Sequence, residues 1–186
     1  MPVQPPAPRH KIEDAFDSII IYIPSKRNLL LILFMGFWMM GWFSGETSAI
    51  NELIEGGFAG TDLFMIAWLG GWTVGGVFAL SLLLWQLFGK EKIEVANNSI
   101  TYSRAVVIPI FPKEYSSEYI KNLRFTNIGY NERYGRSRNM EFWGFGPGLI
   151  AFDYGSRTIR FGIGIDEAEA KQIVAEIQQK YPQYRN

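Results

Sequence analysis

The residues best equipped to make specific contacts fall in one stretch. Arg124, Arg133, Arg136 and Arg138 are interleaved there with Phe125, Tyr130, Tyr134, Phe142, Trp143 and Phe145, against Glu132 and Glu141. Planar guanidinium groups and aromatic rings bind with little conformational loss and are enriched where proteins meet. Three readings stay open: a protein-binding loop, a loop beside anionic lipid, where each basic group adds about 1 kcal/mol, or a solvated loop. RNA binding is disfavoured, because the segment from Lys90 onward has a net charge of only +3, from 14 basic and 11 acidic residues.

Catalytic chemistry has little to work with. The chain has no Cys, which removes disulfides, thiolate metal sites and cysteine nucleophiles together. Its single histidine, His10, follows the proline-rich start MPVQPPAP and is expected to be solvated and remote from any core, so no Ser-His-Asp arrangement is expected. The pairs Glu13-Asp14 and Asp166-Glu167 stand where helices are expected to begin, and the helix dipole accounts for them without acid–base chemistry. The glycines of Gly144-Phe145-Gly146-Pro147-Gly148 lack the Lys and Ser or Thr that a phosphate loop requires. These observations give the expectation of a protein that is not an enzyme and holds no cofactor or metal.

The elements that carry these residues are of two unlike kinds. Among 186 residues, 18 basic and 18 acidic side chains cancel, which gives no reason to expect nucleic acid. Residues 28 to 89 hold only four of those charges, Glu46, Glu52, Glu55 and Asp62, whereas the 97 residues from Lys90 hold 25. That split excludes a single soluble domain. Residues 28–45 are uncharged and long enough, at about 27 Å, to cross a bilayer core of about 30 Å; residues 63–89 reach about 40 Å and must tilt or project beyond the lipid. Lys26 and Arg27 before the first span and Lys90 and Lys92 after the second place both termini in the cytoplasm, with residues 46–62 as an external acidic loop. A cleaved signal peptide ending near Thr47-Ser48-Ala49 is an alternative reading of the first span.

Neither span, so bounded, contains His, Cys or a charged residue, which leaves no axial ligand, proton relay or ion-coordinating carboxylate within it. Gly71 and Gly75 form a small-xxx-small pair that admits close helix approach. They pack either against Gly36 and Gly41 of the first span or against a helix of another subunit. Several of Trp38, Trp42, Trp68, Trp72 and Trp85 lie too deep for an interfacial belt. Between the spans, Ile50, Leu53 and Ile54 predict a short separate helix over Thr47–Glu55 that stops at Gly56-Gly57.

Residues 1–27 read as a cytoplasmic tail, with a short helix near 11–17 and a strand near 18–23 before Pro24. Residues 90–186 read as a domain of their own, with alternating strands over Ile93–Val95, Ile100–Tyr102, Val107–Phe111 and Tyr119–Thr126 and a short one at Met140–Trp143. The clearest hairpin follows: Ile150, Phe152 and Tyr154 alternate, Gly155-Ser156 turns, and Ile159, Phe161, Ile163 and Ile165 alternate again. Gly162 and Gly164 leave the opposite face of that strand bare, for a bulge or for close approach of another segment, and docking of the 18–23 strand near this sheet is one such arrangement. Asp166 with Glu169 predicts a capping box for a closing helix whose apolar face is Ala170, Ile173, Val174, Ile177 and Tyr181, ended by Pro182.

Seven short strands and one closing helix, over roughly Glu91 to Tyr181, resemble the pleckstrin-homology-like fold, which implies a β-barrel of two bent sheets plugged by its C-terminal helix. Separately, SIIIYIPSKRNLLLILFMGFWMMGW looks like the start of uncharacterised bacterial two-span membrane proteins that carry such a domain. That resemblance implies the bacterial inner membrane and carries no activity with it. The expected fold is thus a two-helix transmembrane hairpin with a cytoplasmic pleckstrin-homology-like β domain. The expected function is a non-catalytic accessory or scaffold subunit that contacts membrane lipids and packs with other membrane protein subunits in a bioenergetic or transport complex. Arg124, Tyr130, Arg133, Tyr134, Arg136, Arg138, Phe142 and Trp143 are the expected partner-binding residues, and Gly36, Gly41, Gly71 and Gly75 the helix-packing ones. The alternative is a lipid-responsive binding or sensing module that acts as a homo-oligomer.

Overall fold

The computed structural model describes residues 8–56, 62–106, 109–126, 143–144 and 146–185. They divide into two units, one made from the chain up to Lys26 together with Phe88 onward, the other from Arg27–Leu87.

In the first unit, strands β1 (Lys11–Asp14), β2 (Ser18–Pro24), β3 (Lys90–Ala96), β4 (Ser99–Ala105) and β5 (Pro109–Ser116) form one antiparallel sheet in sequence order. Strands β6 (Ile120–Phe125), β7 (Ile150–Tyr154) and β8 (Arg157–Phe161) form a second. Among the described residues no ladder joins the two sheets, so no closed barrel is formed. The sheets and the C-terminal helix α3 (Glu167–Lys180) share one core, in which Ile21, Ile93, Ile100, Ile150, Phe152, Phe161, Ile173 and Ile177 are completely or almost completely buried.

The N-terminal segment belongs to this domain and is not a separate tail. Where a helix is expected near 11–17, the chain forms β1, which pairs with β2 through Ile12–Ile21 and Asp14–Ile19. The helical spacing of Ile12, Ala15, Phe16 and Ile19 borrowed its last member from a strand. Ile19, Ile21 and Ile23 alternate into the core with the period of a strand, and the chain between β1 and β2 closes with Ala15 N–H donating to the Ser18 carbonyl at 2.9 Å. Glu13 and Asp14 therefore stand on a strand and not at a helix start.

Elsewhere the strand pattern holds, with shifted boundaries. The expected 107–111 strand is β5, which runs on to Ser116 at the edge of its sheet, where Pro109 and Pro112 forfeit no central hydrogen bond. The expected strand at 140–143 lies outside the described residues except for Trp143, which sits in a turn. The β7–β8 hairpin turns at Gly155-Ser156 as expected, but β8 stops at Phe161 instead of continuing to Ile165. A Cβ on Gly164 would lie 1.8 Å from the Pro24 carbonyl oxygen, so the bare glycine face is filled by the end of β2. Asp166 and Glu169 form the expected reciprocal capping box at the start of α3.

The second unit consists of helices α1 (Leu29–Gly56) and α2 (Asp62–Phe88), both long and apolar enough to cross a membrane. Asn28 caps α1 by accepting from Leu31 N–H, and its own N–H donates to Gln86 Oε1 at 3.2 Å. The separate helix expected over 47–55 does not exist: α1 continues unbroken for 28 residues, or about 42 Å, because nothing between Gly45 and Glu55 breaks helical hydrogen bonding. Most of the apolar surface faces outward, including Leu33, Phe34, Phe37, Val74, Val77 and Phe78. Helices apolar all round, with only a narrow buried seam, suit a hydrocarbon solvent.

Candidate functional site in the helical pair and the Arg124 corner

The buried seam of α1 is Leu31, Met35, Met39, Trp42 and Glu46, spaced by four, four, three and four residues. That spacing keeps one stripe on one face. Trp42 lies over Gly76 of α2, where a Cβ would stand 1.9 Å from the indole ring, so only glycine fits at this crossing. Trp42 also stacks on Trp72, with centroids 6.3 Å apart and planes within 7°, and Trp72 stacks in turn on Trp68 at 4.8 Å. The middle of the seam is thus aromatic.

The four glycines expected to pack the helices are placed differently from Gly76. A Cβ at Gly36, Gly41, Gly71 or Gly75 would meet nothing within 4 Å. Gly41 lines an apolar groove with Trp38, Trp42 and Trp72, and Gly71 and Gly75 line a second groove with Trp38, Trp68 and Trp72. Packing of α2 against α1 through these glycines is therefore not what the chain does with them.

Glu46 is the residue that the assigned spans left out. The uncharged run ends at Gly45, yet the helix carries Glu46 onward into contact with α2, and the residue is only 8% exposed. Its Oε1 is within hydrogen-bond distance of the Thr73 hydroxyl, and its buried Oε2 has no partner among the described residues. A polar residue one position past an uncharged run, in register with the apolar stripe 35-39-42, was the available signal.

In the β domain, Arg124 makes a two-pronged ion pair across the β6–β7 ladder, with Nη1 2.8 Å from Asp153 Oδ2 and Nη2 3.2 Å from Oδ1. Asn122 Nδ2 and Thr158 Oγ1 donate to the same carboxylate. These contacts, Arg124 and then Thr158 foremost, hold the Asp153 carboxyl below its ordinary range. The guanidinium is thereby engaged inside the chain. Trp143 is 39% exposed, and Tyr130, Arg133, Tyr134, Arg136, Arg138 and Phe142 lie outside the described residues.

Two buried polar groups organise the domain. Glu91 is 1% exposed, on the inward phase of β3 with Ile93 and Val95. Its Oε2 accepts from Gly162 N–H at 2.8 Å and Ile163 N–H at 2.9 Å, and its Oε1 from the Tyr102 hydroxyl at 2.7 Å, so one carboxylate links both sheets. Burial first, then the adjacent negative charge of Glu91, pushes the Tyr102 phenol well up. The shared parity of 91, 93 and 95 signalled this inward position.

His10 is buried, contrary to its expected solvation. Its Nδ1 lies 3.0 Å from Glu169 Oε1, because β1 is part of the sheet and carries residues 9 and 10 onto the start of α3. Burial alone would raise the Glu169 carboxyl, but the Arg9 N–H, the His10 ring and the Asp166 N–H outweigh it and hold the group below its ordinary range. Neither centre has the nucleophile–base geometry of hydrolytic catalysis, and among the described residues no three His, Asp or Glu side chains cluster as a metal site. No protein-family model, curated protein or solved structure matches the chain.

Proposed function

We propose that this protein is a non-catalytic, integral inner-membrane subunit of a bacterial assembly, anchored by α1 and α2, with its termini and β domain in the cytoplasm. The observation that carries the reading is the open space at Gly36, Gly41, Gly71 and Gly75. The helices meet each other through Trp42 and Gly76, which leaves these glycines free to admit a helix of another membrane subunit. Residues 27–87 leave and rejoin the domain between the paired strands β2 and β3, which suits an even number of crossings. Lys26, Arg27, Lys90 and Lys92 at those crossings favour the cytoplasmic side.

The β domain is read as a divergent pleckstrin-homology-like module, supported by its succession of antiparallel strands followed by one C-terminal helix, with β1 and β2 as N-terminal additions. Its partner-binding surface is assigned to Trp143 and the Arg- and Tyr-rich sequence before it, while Arg124 is held within the domain by Asp153.

Extraction of the full chain in mild detergent, followed by a native gel and mass spectrometry of the band, tests the assembly. Co-migration with other membrane subunits is expected. Recovery as a homo-oligomer alone would favour a self-associating, lipid-responsive module instead.

A further inference from the structure

We propose that one end of the five-stranded sheet rests on the bilayer surface, with Phe111 inserted among the headgroups as an apolar wedge and the basic side chains around it facing anionic lipid. The first support is backbone geometry. In the β4–β5 ladder Tyr102 pairs with Lys113 and Arg104 with Ile110, so β5 holds one residue more than β4 over that stretch and bulges. Phe111 lies in the bulge with φ 49°, in the left-handed region that a bulky residue before proline rarely adopts. It is 84% exposed, so no packing within the chain explains the strain. Bulges re-aim side chains, and a strained backbone that presents an aromatic to its surroundings points to a use for that ring. The sequence from Ala105 to Pro112 contains no polar side chain at all.

The second support is the place of the bulge in the sheet. Pro24 pairs with Lys90, Lys90 with Ala105 and Ala105 with Pro109, which makes one rung across four strands. From this rung the chain departs for α1, which begins at Leu29, and to it the chain returns directly after α2 ends at Phe88. Phe111 follows Pro109 by two residues, about 7 Å along the strand, and β5 lies two strand spacings, about 10 Å, from β3. The headgroup layer on each side of a bilayer is about 5 to 8 Å thick. An exposed ring so near two membrane anchors is within reach of it.

The third is charge. Between that rung and the one through Tyr102 stand Lys11, Lys90, Lys92, Arg104 and Lys113, and the one acid there, Glu91, is buried and bonded to Gly162, Ile163 and Tyr102. The next rung brings Glu13, Glu94 and Glu114 together, so the sheet changes sign along its strands, with the basic end toward the anchors. Asp166 and Glu167 start α3 close to this end, past Gly164, and are engaged by Glu169 N–H and by Lys171 at 2.6 Å. An apolar tip among basic groups is the combination that binds an anionic membrane surface. Phe16, likewise exposed, stands at the opposite end beside Asp14 and Asp17, where such a surface would repel the chain. The inference rests on the membrane placement of α1 and α2 and not on membership of an assembly.

The chain has no Cys, so single cysteines in the full chain can carry an environment-sensitive fluorophore after reconstitution, without other proteins, in phosphatidylcholine–phosphatidylglycerol vesicles. The positions are Phe111→Cys, Asn98→Cys in the turn at the opposite end of the sheet, and Phe37→Cys on the exposed side of α1. The label at 111 is expected to be quenched by lipid spin-labelled near the headgroup and several-fold less by aqueous acrylamide than the label at 98, while the label at 37 is quenched by lipid spin-labelled along its tails. Lipid quenching at 37 with equal acrylamide access at 111 and 98 overturns this proposal and leaves the anchor standing; no lipid quenching at 37 overturns both. Shielding at 111 without lipid quenching means a contact between copies and overturns it as well. In phosphatidylcholine alone, lipid quenching at 111 should fall several-fold with 37 unchanged, and equal quenching at 111 in the two vesicles overturns the electrostatic part. Should Phe111→Cys misfold, Pro112→Cys, next to it and also exposed, is read by the same criteria.

Discussion

Pro24 stands opposite Lys90 in the β2–β3 ladder, and next to them Ser25 N–H donates to the Gly89 carbonyl at 2.8 Å. The helical pair is therefore an insertion between two neighbouring strands, and the chain on either side of it is already joined.

A chain in which residues 27–87 are replaced by a short glycine–serine loop should consequently fold as a soluble, monodisperse domain with mixed strand and helix circular dichroism. A fragment starting at residue 90 should aggregate, since it lacks Ile19, Ile21 and Ile23 from the core and exposes the β3 edge that β2 covers. Size-exclusion chromatography of the two distinguishes them, and equal behaviour would contradict the assignment of β2 to the domain.

Glu91→Ala in that soluble domain should lower stability by about 3 kcal/mol, because Gly162 N–H, Ile163 N–H and the Tyr102 hydroxyl all lose their acceptor in a buried place. Tyr102→Phe removes one of the three bonds and should cost about 1 kcal/mol. Urea unfolding measures both, and a Glu91→Ala cost no larger than that of Tyr102→Phe would deny the carboxylate its linking role.

Glycines on the two faces of α2 should respond oppositely to substitution. Gly76→Val drives a side chain into the Trp42 ring and should destabilise the helical pair by about 1 to 3 kcal/mol, read from tryptophan fluorescence during denaturation in mixed micelles. A Cβ at Gly71 or Gly75 meets nothing within 4 Å, so Gly71→Ala and Gly75→Ala should leave that transition in place while weakening co-migration with partner subunits. If all three behave alike, the separation of an inner face from an outer one is wrong.

The domain should be acid-labile through two depressed carboxyls. For a group whose folded pKa lies below its unfolded value, the stabilisation is present above the unfolded value and disappears as pH falls through the folded one. With ordinary values of 3.8 for Asp153 and 4.5 for Glu169, stability should be steady near neutrality and decline on acidification below about 4.5. Arg124→Ala and Glu169→Gln should each flatten that decline in thermal melts over the acid range. Tyr102 has the opposite sign: its raised phenol contributes fully below the ordinary value of 10.0 and loses that contribution at more alkaline pH, a loss that Tyr102→Phe should abolish.

Local pattern alone determined a good part of this protein. Two long uncharged runs became α1 and α2, the alternation around Gly155-Ser156 became the β7–β8 hairpin, and Asp166 with Glu169 capped α3. Each depends on neighbours a few residues away, where hydrophobic period and capping chemistry act directly. Tertiary structure decided where polar groups on apolar faces found partners. Glu91 meets Gly162 from 71 residues away, Glu46 meets Thr73 from 27, and His10 meets Glu169 from 159. It also made residues 11–14 a strand, because the edge of β2 offered them a ladder that outweighed a weak helical period. Periodicity reveals which face of an element turns inward, but the group waiting opposite is set by how distant segments pack.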